Sequence, residues 1–198
     1  IIVTGITRSA TFPVTPGCWQ PALAGTASNI FISKFTSGGN QVWTTYYFGD
    51  QKYGNSCAVD KYNNIYVMGE WEDVDPGYVF PCAFQKNFGG GGEDAYISKF
   101  NSNGMHICDT YMGGAYEDDL DNGGRGGVAC YGEFVYFTAL NGDSPTKVSY
   151  PVTPGAFQTV PGGGDITIGK LCALNCGDYS PKTIAITPVQ LAGCPGNI

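Results

Sequence analysis

The sequence predicts an all-β fold built from blades of four antiparallel strands, and three observations predict it. One phrase is written three times: Phe12-Pro13-Val14-Thr15-Pro16-Gly17-Cys18-Trp19-Gln20, then Val79-Phe80-Pro81-Cys82-Ala83-Phe84-Gln85, then Tyr150-Pro151-Val152-Thr153-Pro154-Gly155-Ala156-Phe157-Gln158. Each copy is followed by an alternating stretch, Ile30–Phe35, Ala95–Phe100 and Ile166–Leu171, whose lysines Lys34, Lys99 and Lys170 stand 65 and 71 residues apart. The third observation is compositional. With 30 Gly and 12 Pro in 198 residues, turn formers punctuate a chain otherwise rich in aromatic and β-branched residues, which favour strands. Charged residues make up only 14%, and no stretch keeps apolar residues at a helical period. Repeats longer than about 40 residues and rich in short strands indicate propeller blades or solenoid coils.

The first unit, residues 1–64, predicts strands at Ile1–Gly5, Ile30–Phe35, Val42–Tyr47 and Ser56–Asp60. The second, 65–133, predicts them at Ile65–Glu70, Ala95–Phe100, His106–Met112 and Gly127–Cys130. Thr36-Ser37-Gly38-Gly39-Asn40 and Asn101-Ser102-Asn103-Gly104 sit at equivalent places as hairpin turns, with Gly available for positive φ. In Ala95–Phe100 one face carries Ala95, Ile97 and Lys99 and the other Tyr96, Ser98 and Phe100. Neither face is uniformly polar, as expected of a sheet packed on both sides. The rings Trp43, Tyr46, Tyr47, Phe48 and Tyr111 recur where adjacent blades would press together, and core packing is their expected role.

The third unit, 134–174, supplies Phe134–Leu140 and Ile166–Leu171 and then stops, leaving about two and a half blades. Four antiparallel strands per repeat is the blade of a β-propeller, and two and a half blades do not make a ring. The rest of the ring is expected upstream or in another chain, because the sequence opens inside a strand-like run, Ile1-Ile2-Val3-Thr4. Residues 175–198 read as a C-terminal extension with a strand-like Ile184-Ala185-Ile186-Thr187-Pro188.

These phrases resemble the bacterial SBBP-type β-propeller repeat. The matching residues are Val3-Thr4-Gly5-Ile6-Thr7, the three Pro-rich phrases, Gly92-Glu93-Asp94-Ala95-Tyr96-Ile97-Ser98-Lys99-Phe100, Trp43-Thr44-Thr45-Tyr46-Tyr47, and Ala58-Val59-Asp60 through Ile65-Tyr66-Val67. The resemblance covers about residues 1–171. Cys130 reads as standing where the first unit has Asp60, and the Asp118–Arg125 region is enlarged. The resemblance implies a large secreted or surface protein, in which such repeats precede immunoglobulin-like modules; the tail from Ile186 looks like the entry to one. It implies no single reaction, since propellers host both binding and catalysis.

The net charge of −7, without a basic cluster, argues against nucleic acid and anionic membranes as partners. The longest apolar run, Phe134–Leu140, is too short to span a bilayer. Eight cysteines lack zinc-site spacing, so disulfides are expected, with small buried hydrophobes as the competing reading. Cys172 with Cys176, or Cys176 with Cys194, are the candidate pairings.

Chemistry-bearing residues are sparse. The one histidine, His106, aligns with Gln41 and is expected on a solvent-facing strand position. Gly89-Gly90-Gly91-Gly92 lacks the Lys-Ser/Thr and the helix of a phosphate loop. The acidic stretch Glu117, Asp118, Asp119 and Asp121 gathers carboxylates in a Gly-rich loop and suits calcium, which takes six to eight oxygen ligands; a solvated acidic turn is the competing expectation. Trp71 with Glu72 and Asp73 forms a second acidic loop, a candidate sugar platform or else a cap over a blade edge. The expected function is a non-catalytic extracellular or cell-surface module for scaffolding or adhesion, meeting protein or glycan partners, other copies or upstream blades. The alternative is a carbohydrate-active enzyme or sugar-binding propeller using the acidic loops.

Overall fold

The computed structural model describes residues 1–25, 28–48, 52–72, 82–116, 118, 126–143, 146, 148–152, 154–163 and 165–172. These residues form ten strands and no helix. Sheet A contains β1 (Ile2–Thr7), β2 (Asn29–Phe35) and β3 (Gln41–Tyr47). Sheet B contains β4 (Lys52–Val59), β5 (Ile65–Glu72), β6 (Glu93–Phe100) and β7 (His106–Met112). Sheet C contains β8 (Gly127–Tyr131), β9 (Phe134–Asn141) and β10 (Asp165–Cys172). Every pairing within a sheet is antiparallel and joins strands adjacent in sequence.

Each strand expected within residues 1–171 is present, and the strand-like stretch at 184–188 lies outside the described residues; the sheets, however, are cut out of the repeat at a different point. The expected first unit ends with the strand at 56–60, yet that strand pairs forward: Val59 lies opposite Ile65 and Ala58 opposite Tyr66. The cause is the tight connection between them. Asp60 ends the strand and caps the turn, its Oδ1 accepting the N–H groups of Tyr62 and Asn64 at 2.8 Å each, and Asn63 takes a positive φ of 64°. Asn favours that region because its short polar side chain bonds locally. The register also corrects the alignment of the third unit. Ala129 opposite Tyr136 matches Ala58 opposite Tyr66, so Cys130 takes the place of Val59 and Tyr131 that of Asp60. There the turn is one residue shorter and Gly132 supplies the positive φ of 61°.

The sheets repeat in detail. β3 and β7 carry the same bulge: consecutive residues Lys34 and Phe35 lie opposite Trp43 and Gln41, and Lys99 and Phe100 opposite Cys108 and His106, which leaves Val42 and Ile107 as the extra residues. Gly39 and Gly104, with φ of 82° and 78°, turn the chain in the hairpin beside each bulge.

Alternation along the strands sends successive side chains to opposite faces, and both faces of sheet B are buried. Ile65, Val67, Tyr96 and Phe100 pack with Ile30, Ile32, Trp43 and Tyr47 of sheet A. Tyr66, Met68, Ala95 and Ile97 pack with Val135, Phe137, Ala139 and Leu171 of sheet C. The split of Ala95–Phe100 into two packed faces is therefore as expected. β4 contacts both β1 and β8, so it lies between the other two sheets at one edge of the stack. Lys34 Nζ and Trp43 Nε1 both donate to Ser102 O, at 2.9 and 3.1 Å, tying sheet A to the turn of sheet B.

Candidate functional site

The Pro-rich phrase places one exposed aromatic ring in each unit. Trp19, Phe84 and Phe157 immediately precede Gln20, Gln85 and Gln158, and all three rings are exposed, Phe157 most of all at 87%. Each glutamine is an anchor. The Gln20 and Gln85 backbone N–H groups donate to Thr45 and Thr110 Oγ1 at 2.9 Å, and their carbonyls accept from Tyr46 and Tyr111 N–H. The three side-chain amides donate to the carbonyls of Ala22, Asn87 and Val160, two residues ahead in each case. The preceding aromatic side chain keeps an exposed face in each unit, Trp19 resting its other face on His106. The signal for this series was in the sequence, in an aromatic before each Gln, but it reads there as part of the repeat phrase rather than as a site.

Trp71 is not available as a sugar platform. It is 3% exposed and lies between sheets A and B, with ring centroids 5.0 Å from Phe48, 5.1 Å from Tyr111 and 5.8 Å from Tyr96. Its place on β5 explains this: the pattern Ile65, Val67, Trp71 follows the face that meets sheet A. Glu72 pairs with Glu93 in the ladder, and Asp73 lies outside the described residues. Of the rings expected to fill sheet junctions, Trp43, Tyr47, Phe48 and Tyr111 do so, whereas Tyr46 turns to the other face of sheet A, 6.0 Å from Phe12.

His106 also departs from expectation. Its side chain is 1% exposed, enclosed by Trp19, Tyr47 and Phe100 with ring centroids 5.4, 5.3 and 5.1 Å away. Its Nε2 is 2.8 Å from Asp109 Oδ1, which also accepts from the Tyr47 hydroxyl. Ser98 Oγ is 2.5 Å from that hydroxyl. A serine, a histidine and an aspartate are thus gathered, but Asp109 and Tyr47 share one imidazole nitrogen and Ser98 is fully buried. A nucleophilic triad needs the serine on the base and open to substrate. Sheet A covers this position, which the alternation along one strand does not foretell.

Of the expected calcium ligands, Glu117, Asp119 and Asp121 lie outside the described residues. Asp118 is fully buried, and its carboxylate accepts the N–H of Gly114 and, at 3.0 Å, that of Gly142. Asp94 lies next to it through the bridge between residues 94 and 118; its Oδ2 accepts Gly89 N–H at 2.6 Å and its Oδ1 is buried without a hydrogen-bond partner. Burial raises the Asp94 carboxyl to about 7; the Gly89 bond opposes the rise and the Asp118 charge adds to it. Gly113 is required there, since a Cβ would run into the Asp94 carboxylate. Asp143 is buried likewise, its carboxylate accepting Ser149 N–H, Ser149 Oγ–H and Tyr150 N–H at 2.5 to 2.6 Å. These acids satisfy loop backbone, and among the described residues no group of three His, Cys, Asp or Glu side chains is placed to hold a metal ion.

Cys82 and Cys108 form a disulfide, a pairing the spacing did not suggest. Cys172 ends β10 with a free thiol, and its expected partners Cys176 and Cys194 lie outside the described residues. No protein-family model matches the chain, and no curated protein matches it.

Proposed function

We propose that this chain is part of a β-propeller of the SBBP repeat type, secreted or displayed at a cell surface, and that it serves as a non-catalytic module for adhesion or scaffolding. The observation that carries the reading is the repeated exposed aromatic, Trp19, Phe84 and Phe157, held at one position per unit by an anchored glutamine. Aromatic side chains present a large flat face to sugars and to partner side chains at low entropic cost. Three sheets packed face to face form a rigid support for such a series, and the Cys82–Cys108 disulfide suits an oxidising compartment. Among the described residues, His106, Asp109, Asp94 and Asp118 are side chains suited to chemistry, and each is buried.

The test is retention of the purified chain on insoluble polysaccharides and immobilised matrix proteins. Binding to at least one of these is expected, and it falls at least tenfold in the triple variant Trp19→Ala, Phe84→Ala, Phe157→Ala, with native far-ultraviolet circular dichroism retained. Retention of the triple variant at the wild-type level overturns the role of the rings. Release of soluble sugar from any polysaccharide overturns the non-catalytic reading.

A further inference from the structure

The three lysine-bearing strands are equivalent residue by residue, and they differ in what covers them. Ile30 lies opposite Ile6, Ala95 opposite Glu70 and Ile166 opposite Leu140; Ile32, Ile97 and Ile168 lie opposite Thr4, Met68 and Thr138. In sheets A and B these positions are fully buried by the next sheet. In sheet C the same two positions, Ile166 and Ile168, are 61% and 51% exposed. The rest of the face is conserved in kind: Lys99 Nζ lies 5.6 Å from the Tyr66 ring centroid, and Lys170 Nζ lies 5.7 Å from that of Tyr136. Among the described residues, sheet C therefore ends the stack with a face that the molecule uses twice elsewhere as a sheet–sheet junction.

The complementary face is present as well. Val67 and Phe137, at equivalent register, are the buried members that meet sheets A and B; their counterpart in sheet A is Val3, which is 40% exposed. Ile65 and Val135 are buried in the same way, and Ile1, opposite Phe35, is exposed. Phe12 covers Phe31 and Tyr46 on this side of sheet A and leaves the β1 residues open. One chain thus carries both halves of its own internal junction, one at each end of the stack.

We propose that the outward face of sheet C takes sheet A of a second copy of this chain, so that copies associate head to tail. The contact continues the A–B and B–C junctions and is heterologous, each copy using a different face. Such contacts add copies until the rotation closes a ring, or extend a filament if it does not. The inference rests on the stacking of sheets and stands apart from the ligand read for the aromatic series.

Sedimentation velocity over a concentration series tests it. The wild-type chain is expected to form dimers and larger species. Ile168→Asp and Val3→Asp, at exposed positions, are each expected to be monomeric, with native near-ultraviolet circular dichroism. Mixed one to one, they retain one intact face of each kind and are expected to give a dimer that grows no further. Should Ile168→Asp fail to fold, Ile166→Lys takes its place. A wild-type chain that stays monomeric to its solubility limit overturns the proposal, whatever else covers the face. So does association insensitive to both substitutions. Association abolished by one substitution and untouched by the other means that like faces meet, and this overturns the head-to-tail arrangement, as does association abolished by both and not restored on mixing.

Discussion

Where sheet A carries Gln41, Thr44 and Ser33, sheet B carries His106, Asp109 and Ser98 on the same ladder positions. In sheet A the three form a neutral chain: Gln41 Nε2 donates to Thr44 Oγ1 at 2.6 Å and to Pro13 O at 2.7 Å, and Thr44 Oγ1 donates to Ser33 Oγ at 2.8 Å. In sheet B the three are joined by Tyr47, which reaches across from sheet A into the Asp109 carboxylate. The first set is covered by its own Pro-rich loop, with Gln41 open to solvent; the second is sealed under a neighbouring sheet. Burying a carboxylate is costly unless it is hydrogen-bonded, and at Asp109 the neighbouring sheet supplies a hydroxyl to Oδ1, whereas Oδ2 is buried without a hydrogen-bond partner.

The largest expected effect breaks this comparison directly. Removing one partner of a buried charged network leaves the others desolvated and unpaired, which costs about 3–5 kcal/mol. Asp109→Ala is expected to lose that much stability in denaturant unfolding. Thr44→Val, which removes a neutral hydroxyl from the equivalent position, is expected to lose about 1 kcal/mol. Equal losses at the two positions refute the claim that the junction makes them different.

A second contrast lies at the entry to each lysine-bearing strand, where sheet A has Asn29 and sheet B has Asp94. Asn29 satisfies its loop in both directions, accepting Ala24 N–H at 2.9 Å and donating to Ala24 O at 2.7 Å. Asp94 can only accept while ionised, and burial raises its carboxyl to about 7. Between its ordinary value near 3.8 and about 7, the folded chain holds a proton that the unfolded chain has lost. This component of stability is complete at the acid end, falls as pH rises through that window and is level above it. Its size is of the order of 4 kcal/mol, from about three pH units. Unfolding measured from pH 4 to 8 is expected to show that fall in the wild type and to lose it in Asp94→Asn. A fall of the same size in Asp94→Asn assigns it to another group.

Strand existence was legible because alternation and turn residues are local signals: His106–Met112 forms with the bounds its residues indicate. Sheet membership was not, because a repeat has no intrinsic starting point; the tight turn at 60–64 joins 52–59 forward to β5, as the turn at Gly132 joins β8 forward to β9. Trp71 and His106 were misplaced for a related reason. Whether an aromatic or a histidine meets solvent depends on the neighbouring sheet, which lies 65 residues away in sequence at the equivalent position. The unmatched Ile166 and Ile168 became readable only once the covered copies stood beside the uncovered one.

The smallest of the three effects concerns how the Pro-rich loop is fastened. In sheet A, Thr15 does it with hydrogen bonds: its N–H donates to Thr44 O at 3.0 Å and its Oγ1 accepts Thr44 N–H at 3.1 Å. In sheet B, Cys82 stands where sheet A has Gly17, and Cys108 where it has Trp43, so a covalent bond fastens the loop to β7 instead. The disulfide joins residues 26 apart, a loop whose closure in the unfolded chain is worth about 3 kcal/mol. A single hydrogen-bonding threonine is worth about 1 kcal/mol. Dithiothreitol is therefore expected to lower the unfolding midpoint of the wild type and to leave that of Cys82→Ala, Cys108→Ala unmoved, while Thr15→Ala lowers it by about a third as much. If the reductant destabilises the double variant as strongly as the wild type, some other disulfide carries the effect. If Thr15→Ala costs as much as reduction, the hydrogen-bonded loop is as firmly held as the cross-linked one, and the two units differ in chemistry but not in strength.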